Sequence, residues 1–128
     1  LALIDGAAAT VEYEGYIFRR DSVGERFARA FIDAARRGVR VRLLIDWLGR
    51  LTTPKSFFRR LQREGVEVLF FNPPGFRAWL GLLPRDHRKV LVVDGRAGVT
   101  GGIGIGEEWK HGVLVRRRSP WRDTAVRL

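Results

Sequence analysis

The sequence has no cysteine and no long uninterrupted run of apolar residues. The absence of cysteine excludes a disulfide-based scaffold and any metal site that uses thiolate ligands. The apolar runs are far shorter than the ~20 residues that span a bilayer, so the sequence predicts no transmembrane helix. Hydrophobic residues make up 45% of the 128 residues, which excludes intrinsic disorder and is enough for one buried core.

Acidic residues are scarce relative to basic ones: 14 Asp and Glu stand against 24 Lys and Arg, and the formal net charge is +10. Lysine is scarce as well, with 3 residues against 21 arginines. An excess of positive charge indicates an anionic partner, either nucleic acid, a phosphorylated substrate or an anionic membrane surface. For surface positions such as Arg36, Arg37, Arg59 and Arg60 the alternative is a solvated residue from an arginine-rich proteome, and both interpretations stay open.

The first half of the chain alternates between strand and helix patterns. Strands are predicted at residues 11–18, 39–46 and 66–71, and helices at 23–37 and from Pro54 to Gly65. Asp21 or Ser22 is a suitable N-cap for the first helix, and Gly38 is typical of the residue that ends one. Strands that alternate with helices over short connections predict a mainly parallel sheet with right-handed crossovers.

The second half predicts antiparallel strands. Asp94 and Gly95 lie between the apolar runs 88–93 and 96–100, and this pattern indicates a hairpin. One more strand is predicted at 121–128. The predicted fold class is therefore α/β, a mainly parallel mixed sheet flanked by helices with an antiparallel hairpin. Because the chain starts at Leu1 and stops within a strand pattern, we expect residues 1–128 to be one domain of a longer protein.

The hairpin region carries an unusual group of polar residues. His87 and Lys89 are two residues apart, so on a strand their side chains project from the same face. An ammonium group neutralises phosphate oxygens and a neutral imidazole can attack phosphorus, so the pair suits a phosphate site that contains a nucleophile. Asp94 ends the run, where it can brace the turn or hydrogen-bond within the site. On spacing alone, such a pair at a strand start is more often surface decoration than a phosphate site.

Glycines follow this group at Gly101, Gly102 and Gly104. They leave no side-chain bulk that would keep a substrate phosphate away from the backbone amides. They do not form a dinucleotide fingerprint, because they follow a hairpin rather than opening a helix. Spacing alone therefore indicates a basic α/β domain and leaves phosphate binding as one open interpretation.

His87, Lys89 and Asp94, followed by the glycine pair, resemble the HKD motif of the phospholipase D superfamily. The flanking sequence resembles bacterial cardiolipin synthases and related phosphatidyltransferases. The matching stretches are residues 16–19, 37–44 with Asp46, 71–74, 85–89, 92–95 and 121–124.

The resemblance implies a two-step phosphodiester exchange through a phosphohistidine, in which a second HKD histidine protonates the leaving alcohol. On this chain it makes His87 the nucleophile or its acid–base partner, Lys89 the ligand of the phosphoryl oxygens, and Asp94 a supporting residue. It implies an anionic phospholipid as substrate, with no metal and no cofactor.

A single HKD motif is present, because the other histidine, His111, has no lysine two residues later and is interpreted as a surface loop residue. The resemblance therefore implies a second motif from a C-terminal half of the parent chain or from a symmetric partner chain. Gly104 stands where the family commonly has asparagine.

Residues 75–84 are apolar and interrupted by glycine and proline. They predict either a hydrophobic rim at a membrane surface, with Trp79 at the interface, or a loop packed over the core or a partner subunit. Arginines 116–118 could meet anionic headgroups or be solvated. With the resemblance, these features imply a bacterial parent protein that is cytoplasmic and membrane-associated, whereas the chain itself is expected to be soluble.

The leading hypothesis is the N-terminal half of a cardiolipin synthase-like phosphatidyltransferase that acts on anionic phospholipid. One alternative is a homodimeric single-motif nuclease or phosphodiesterase, which would use the positive charge to bind nucleic acid. The other is an inactive basic module that binds phosphate or lipid.

Overall fold

The structure is a computed structural model that describes residues 1–73, 85–109 and 124–128. Its strands are β1 (Thr10–Gly15), β2 (Arg40–Asp46), β3 (Glu67–Phe71), β4 (Val90–Val93), β5 (Ala97–Gly101) and β6 (Ala125–Arg127). Its α-helices are α1 (Ala2–Asp5), α2 (Ser22–Arg36) and α3 (Lys55–Arg63), and short 3₁₀ helices lie at Gly49–Thr52 and Glu107–Trp109.

The strands form a six-stranded mixed sheet in the order β3-β2-β1-β4-β5-β6. β1, β2 and β3 are parallel, because the long helical connections α2 and α3 return the chain to the same end of the sheet. β4 runs antiparallel to β1, and β5 and β6 continue in antiparallel pairing. The predicted α/β class, with helices on a mixed sheet and an antiparallel hairpin, is confirmed.

Local sequence signals set the ends of these elements. The side chain of Asp21 caps α2 by accepting a hydrogen bond of 2.8 Å from the backbone N–H of Gly24. Gly38 and Gly65 both have a φ of +89°, a conformation that suits glycine and ends α2 and α3. Asp94 has a φ of 53°, so the residue that starts the hairpin turn also adopts the left-handed conformation.

Several predicted boundaries shift in the structure. The first strand ends at Gly15 instead of residue 18, and Phe18 instead forms an isolated bridge with Ile105. The first hairpin strand begins at Val90 rather than at residue 88, and the second occupies 97–101. Of the strand predicted at 121–128, residues 125–127 form β6, and residues 121–123 lie outside the described part.

The core lies between the sheet and the helices, on the face to which Val41, Leu43 and Ile45 of β2 point. α2 packs against β2 and α3 packs against β3, and the two helices touch each other. The alternate residues of β2, such as Arg40 and Arg42, are exposed on the other face. The described residues form no helix with the length and apolar character needed to cross a bilayer.

Candidate active site

The candidate site lies at the carboxyl end of β1, where β4 begins. The antiparallel register pairs Glu14 with Val90, so residues 85–89 extend past the end of β1 beside Tyr16. The rings of Tyr16 and His87 have centroids 4.8 Å apart. His87 and Lys89 precede β4 rather than belonging to it, so the shared strand face predicted for them is not present, and their proximity does not come from β-strand geometry.

The structure brings His87 and Lys89 together. Lys89 Nζ lies 3.3 Å from His87 Nδ1 and donates a 3.0 Å hydrogen bond to the His87 carbonyl. His87 is exposed, whereas Lys89 is only 7% exposed. An ammonium group can only donate, so in this arrangement Nδ1 accepts and the hydrogen of a neutral imidazole lies on Nε2.

Asp46, at the end of β2, holds the chain just before His87. Its side chain is buried, with 1% exposure, and its Oδ2 accepts a 3.0 Å hydrogen bond from the backbone N–H of Asp86. Its Oδ1 accepts from the backbone N–H of Leu48 at 2.8 Å, and the guanidinium of Arg85 lies 3.9 Å away. One carboxylate therefore joins the end of β2 to the residue that precedes the imidazole.

A carboxyl pair, Glu14 and Asp86, flanks the same segment. Their hydrogen bond raises the pKa of Glu14, and burial adds to that effect. Burial would by itself raise the pKa of Asp86, but hydrogen bonds from Glu14 and Arg88 outweigh it and hold that pKa below its ordinary value. Arg88 lies 2.9 Å from Glu14 and 3.1 Å from Asp86, so its charge compensates the pair.

Asp94 lies at the opposite end of β4 from His87 and Lys89. Its carboxylate accepts backbone hydrogen bonds from Ala8 at 2.9 Å, Ala9 at 2.7 Å and Thr10 at 2.8 Å. Of the two contacts considered for it from the sequence, the structure shows the bracing one, which joins the hairpin turn to the start of β1. A direct part for Asp94 in chemistry stays a prediction.

We expect Asp94 to make stability depend on pH. The hydrogen bonds from Ala8, Thr10 and Ala9 lower its pKa in the folded chain. A lowered carboxyl pKa adds stability that is present above the ordinary value of about 4 and is lost as the pH falls through the lowered value. Urea unfolding at neutral and acidic pH should therefore show a loss of stability on acidification that is smaller in Asp94→Asn.

The matched control is Asp5→Asn, which changes an exposed carboxylate of the same N-terminal segment. It should retain the wild-type dependence on pH. If the Asp94→Asn variant and the wild type lost the same stability on acidification, the pH dependence would not come from Asp94.

Of the three glycines, Gly101 contacts Lys89 directly. The amide of Gly101 donates to the Lys89 carbonyl at 3.3 Å, and the amide of Gly102 donates to the Thr124 carbonyl at 3.2 Å. A Cβ on Gly101 would lie 2.1 Å from the Thr124 carbonyl oxygen, and one on Gly104 would lie 2.8 Å from the Trp109 ring. Close packing thus explains two of the glycines, and phosphate binding by their amides stays a prediction.

Lys89 also lines a pocket of about 360 Å³ on the helix-covered side of β4 and β5. The other lining residues are mostly apolar and include Leu3, Phe27 and Ile103. Tyr13 contributes its ring, and burial raises the pKa of its hydroxyl. The ammonium-bearing residue Lys89 therefore lies between His87 and an apolar cavity.

Several sequence predictions fall outside the described residues, namely Trp79 with the 75–84 segment, His111 and arginines 116–118. Among the described residues, no three His, Cys, Asp or Glu side chains are grouped to hold a metal ion. Sequence reasoning assigned no role to Tyr16, Asp46 or the Glu14–Asp86 pair. A signal for Asp46 was available, because a carboxylate ends an otherwise apolar strand pattern.

Comparison with known families gives a match over most of the chain. The family described as "Cardiolipin synthase, PLD-like domain" matches residues 1–108. Major cardiolipin synthase ClsA of Bacillus subtilis is 37% identical over all of this chain, which spans 26% of that protein. The cardiolipin synthase of Oceanobacillus iheyensis is 34% identical over 98% of the chain, again across 26% of its length. The chain thus spans about a quarter of these curated relatives.

Solved structures share the fold. NucT from Helicobacter pylori aligns over 84% of this chain and 65% of its own, with a TM-score of 0.66 and 21% identity. Nuc from Salmonella typhimurium, a phospholipase D family member, aligns over 83% of this chain and 62% of its own, with a TM-score of 0.63 and 22% identity. At these identities the likeness concerns the fold alone.

Proposed function

Because this chain belongs to the family of phospholipase D-like domains of cardiolipin synthases, we propose that it is one half of a phosphatidyltransferase site acting on anionic phospholipid. The observation that carries the proposal is the exposed imidazole of His87 with the ammonium of Lys89 3.3 Å away. A nucleophile next to a fixed positive charge is what displacement at a phosphodiester requires.

In the proposed first step, His87 Nε2 attacks phosphorus. The N–P bond forms, the P–O bond to the leaving alcohol breaks, and the histidine of a second motif gives its proton to that alcohol. In the second step an incoming alcohol or water returns a proton to that histidine. Its oxygen bonds to phosphorus, and the N–P bond to His87 breaks. Lys89 neutralises the charge on the phosphoryl oxygens throughout.

The contact between Lys89 and His87 Nδ1 sets a condition on the first step. A neutral ring whose Nδ1 accepts a hydrogen bond carries its hydrogen on Nε2, and a protonated nitrogen is not a nucleophile. We therefore infer that the phosphate draws the Lys89 ammonium away from Nδ1 and that the ring hydrogen moves to Nδ1. Lys89 would thus both bind the phosphate and release the nucleophile.

The proposal requires a second His-x-Lys pair, because His87 supplies one nucleophile and the leaving alcohol needs a separate acid. We propose that residues 1–128 form one domain and that the second motif comes from a further half of the parent chain or from a second copy. Asp94 would support the site indirectly, by bracing the hairpin that carries Lys89. Gly101, Gly102 and Gly104 would allow the phosphate to approach closely.

A phospholipid substrate suits the surroundings of Lys89. The neighbouring pocket is largely apolar and fits an acyl chain better than a sugar or a base. The net charge of +10 favours an anionic membrane surface. We propose accordingly that the parent protein works at the cytoplasmic membrane.

The test is headgroup exchange on phosphatidylglycerol vesicles by the full-length parent protein, with and without His87→Ala. We expect the substitution to reduce exchange at least about 10³-fold, because it removes the nucleophile. With phosphorus-labelled lipid, wild type should also form an acid-labile protein adduct that the variant does not form.

Arg26→Gln on the exposed side of α2 is the control, and it should retain wild-type exchange. Comparable exchange by the wild type and His87→Ala would overturn the mechanism. Equal binding to anionic vesicles without turnover by either protein would favour a binding module instead.

A further inference from the structure

We propose that a pocket between α3 and the ends of β2 and β3 is a second phosphate-binding site, separate from His87. Its central residue is Arg50, which lies in the 3₁₀ helix after β2 and is 6% exposed. The guanidinium carbon lies 5.1 Å from the ring centroid of Trp47 and 5.2 Å from that of Phe70. Two aromatic rings therefore hold the cation in one place.

Arg50 lacks a counter-charge in the described part of the chain. Its Nε is buried and has no hydrogen-bond partner among the described residues, and the rest of the guanidinium forms no ion pair with them. Burial of a cation is costly unless hydrogen bonds or an opposite charge compensate it. The aromatic rings supply part of that compensation, because their faces attract a cation but accept no strong hydrogen bond. The donors of Arg50 are thus available to an anion.

The cavity beside Arg50 measures about 290 Å³, enough for a phosphate group with its ester substituent. Lys55 and Arg59 of α3 line it too, on the same helix face one turn apart. No acidic residue appears among its described lining residues. Three cations line the pocket, and no carboxylate opposes them in the part of the chain that the structure describes, so the pocket favours an anion. Arginine donates in a planar fork and lysine as a point charge, a combination that suits a phosphate.

The pocket lies at the carboxyl ends of β2 and β3, which is the same end of the sheet as the His87 site. Asp46 connects the two, because it accepts hydrogen bonds from the backbone N–H groups of Leu48 and Asp86. A Cβ on Gly49 would lie 1.7 Å from the carbonyl oxygen of Tyr16, so the Arg50 turn packs directly on the residue that contacts His87. A phosphate bound at Arg50 would therefore lie at the same end of the sheet as the His87 site and would not use the residues of that site.

The phosphate could belong to a phospholipid headgroup or be free inorganic phosphate. The test uses the 128-residue chain and follows the Arg50 Nε–Hε NMR signal, which Arg50→Lys would assign. Inorganic phosphate and soluble short-chain phosphatidylglycerol are titrated separately, with short-chain phosphatidylcholine as a zwitterionic comparison. We expect a saturable shift of the Arg50 signal with at least one of the first two probes.

Lys55→Gln/Arg59→Gln changes two exposed residues and leaves Arg50 in place, so it tests the pocket without disturbing the core. We expect it to weaken binding about tenfold or more, since each charge-assisted hydrogen bond lost costs about that factor. Arg26→Gln/Arg29→Gln removes the same charge from exposed positions on α2 and should leave the affinity unchanged.

The outcomes separate the sources of the phosphate. A shift with phosphatidylglycerol but not with inorganic phosphate indicates a headgroup site, and the reverse indicates a site for free phosphate. An Arg50 signal that neither probe moves would overturn the proposal and leave Arg50 as a brace between two rings. Equal weakening by both double variants would also overturn it, because the binding would then reflect overall charge. None of these outcomes depends on transfer activity.

Discussion

Replacing Phe18 by alanine is expected to lower the free energy of unfolding by about 3–5 kcal/mol, as for other buried phenylalanines. Phe18 is 0% exposed and is the centre of an aromatic cluster. Its ring centroid lies 5.3 Å from that of Phe57, 6.1 Å from that of Phe58 and 6.2 Å from those of Tyr13 and Phe31. Loss of the ring leaves a cavity where α2 and α3 meet the sheet.

Urea unfolding of Phe18→Ala measures this loss, and Phe18→Leu should show a smaller one because it refills most of the space. Leu69→Ala is the matched control, since Leu69 is 61% exposed on the outer face of β3. It should change stability by about 0.5 kcal/mol or less. A loss below about 1 kcal/mol in Phe18→Ala would show that the cluster does not organise the core.

Asp46→Ala is expected to affect both stability and transfer. It leaves the backbone N–H groups of Leu48 and Asp86 without their acceptor. The Asp86 N–H is buried and the Leu48 N–H partly buried, and an unsatisfied buried donor costs about 1–3 kcal/mol. We expect a total loss of about 3 kcal/mol in urea unfolding. Because the Asp86 amide precedes His87, the imidazole should also lose its fixed position.

In the proposed reaction that displacement should lower kcat about 10²-fold and leave KM nearly unchanged, because a misplacement of about 1 Å can cost that factor. Asp46→Asn keeps one acceptor oxygen and should recover part of kcat. If Asp46 had only a structural role, its substitution would lower stability without lowering kcat at a constant KM. Glu12→Gln is the control. It removes an exposed ion pair in which Glu12 lies 3.3 Å from Arg42, and it should change neither stability nor kcat.

The fold class and the turns follow from short-range sequence signals. The Asp21 cap, the glycines at 38 and 65, and the Asp94–Gly95 turn each depend on a few neighbouring residues, so they are readable without a structure. The family resemblance was readable for the same reason, because the HKD motif occupies a short continuous stretch, and it is confirmed over residues 1–108. The proximity of His87 and Lys89 likewise depends only on residues two apart.

The ends of the strands and the contacts between distant residues could not be predicted from short-range sequence signals. The first strand stops at Gly15 because its pairing with β4 ends at Glu14 and its pairing with β2 ends at Gly15, although the apolar pattern continues to Phe18. The contact of Asp46 with the Asp86 amide joins residues 40 positions apart, and that of Asp94 with Ala8 joins residues 86 positions apart. Neither separation leaves a local pattern in the sequence.

The order of the longer helices and strands, the basic charge and the candidate pair of His87 and Lys89 follow from the sequence alone. Which distant groups surround that pair depends on how the chain folds. The antiparallel register of β1 and β4 carries Asp94 away from His87 and brings Tyr16 beside it. The turn after β2 places Arg50 against the rings of Trp47 and Phe70, at the same end of the sheet. This difference arises because register and packing depend on the free energy of the whole sheet and core, whereas caps and turns depend on a few adjacent residues.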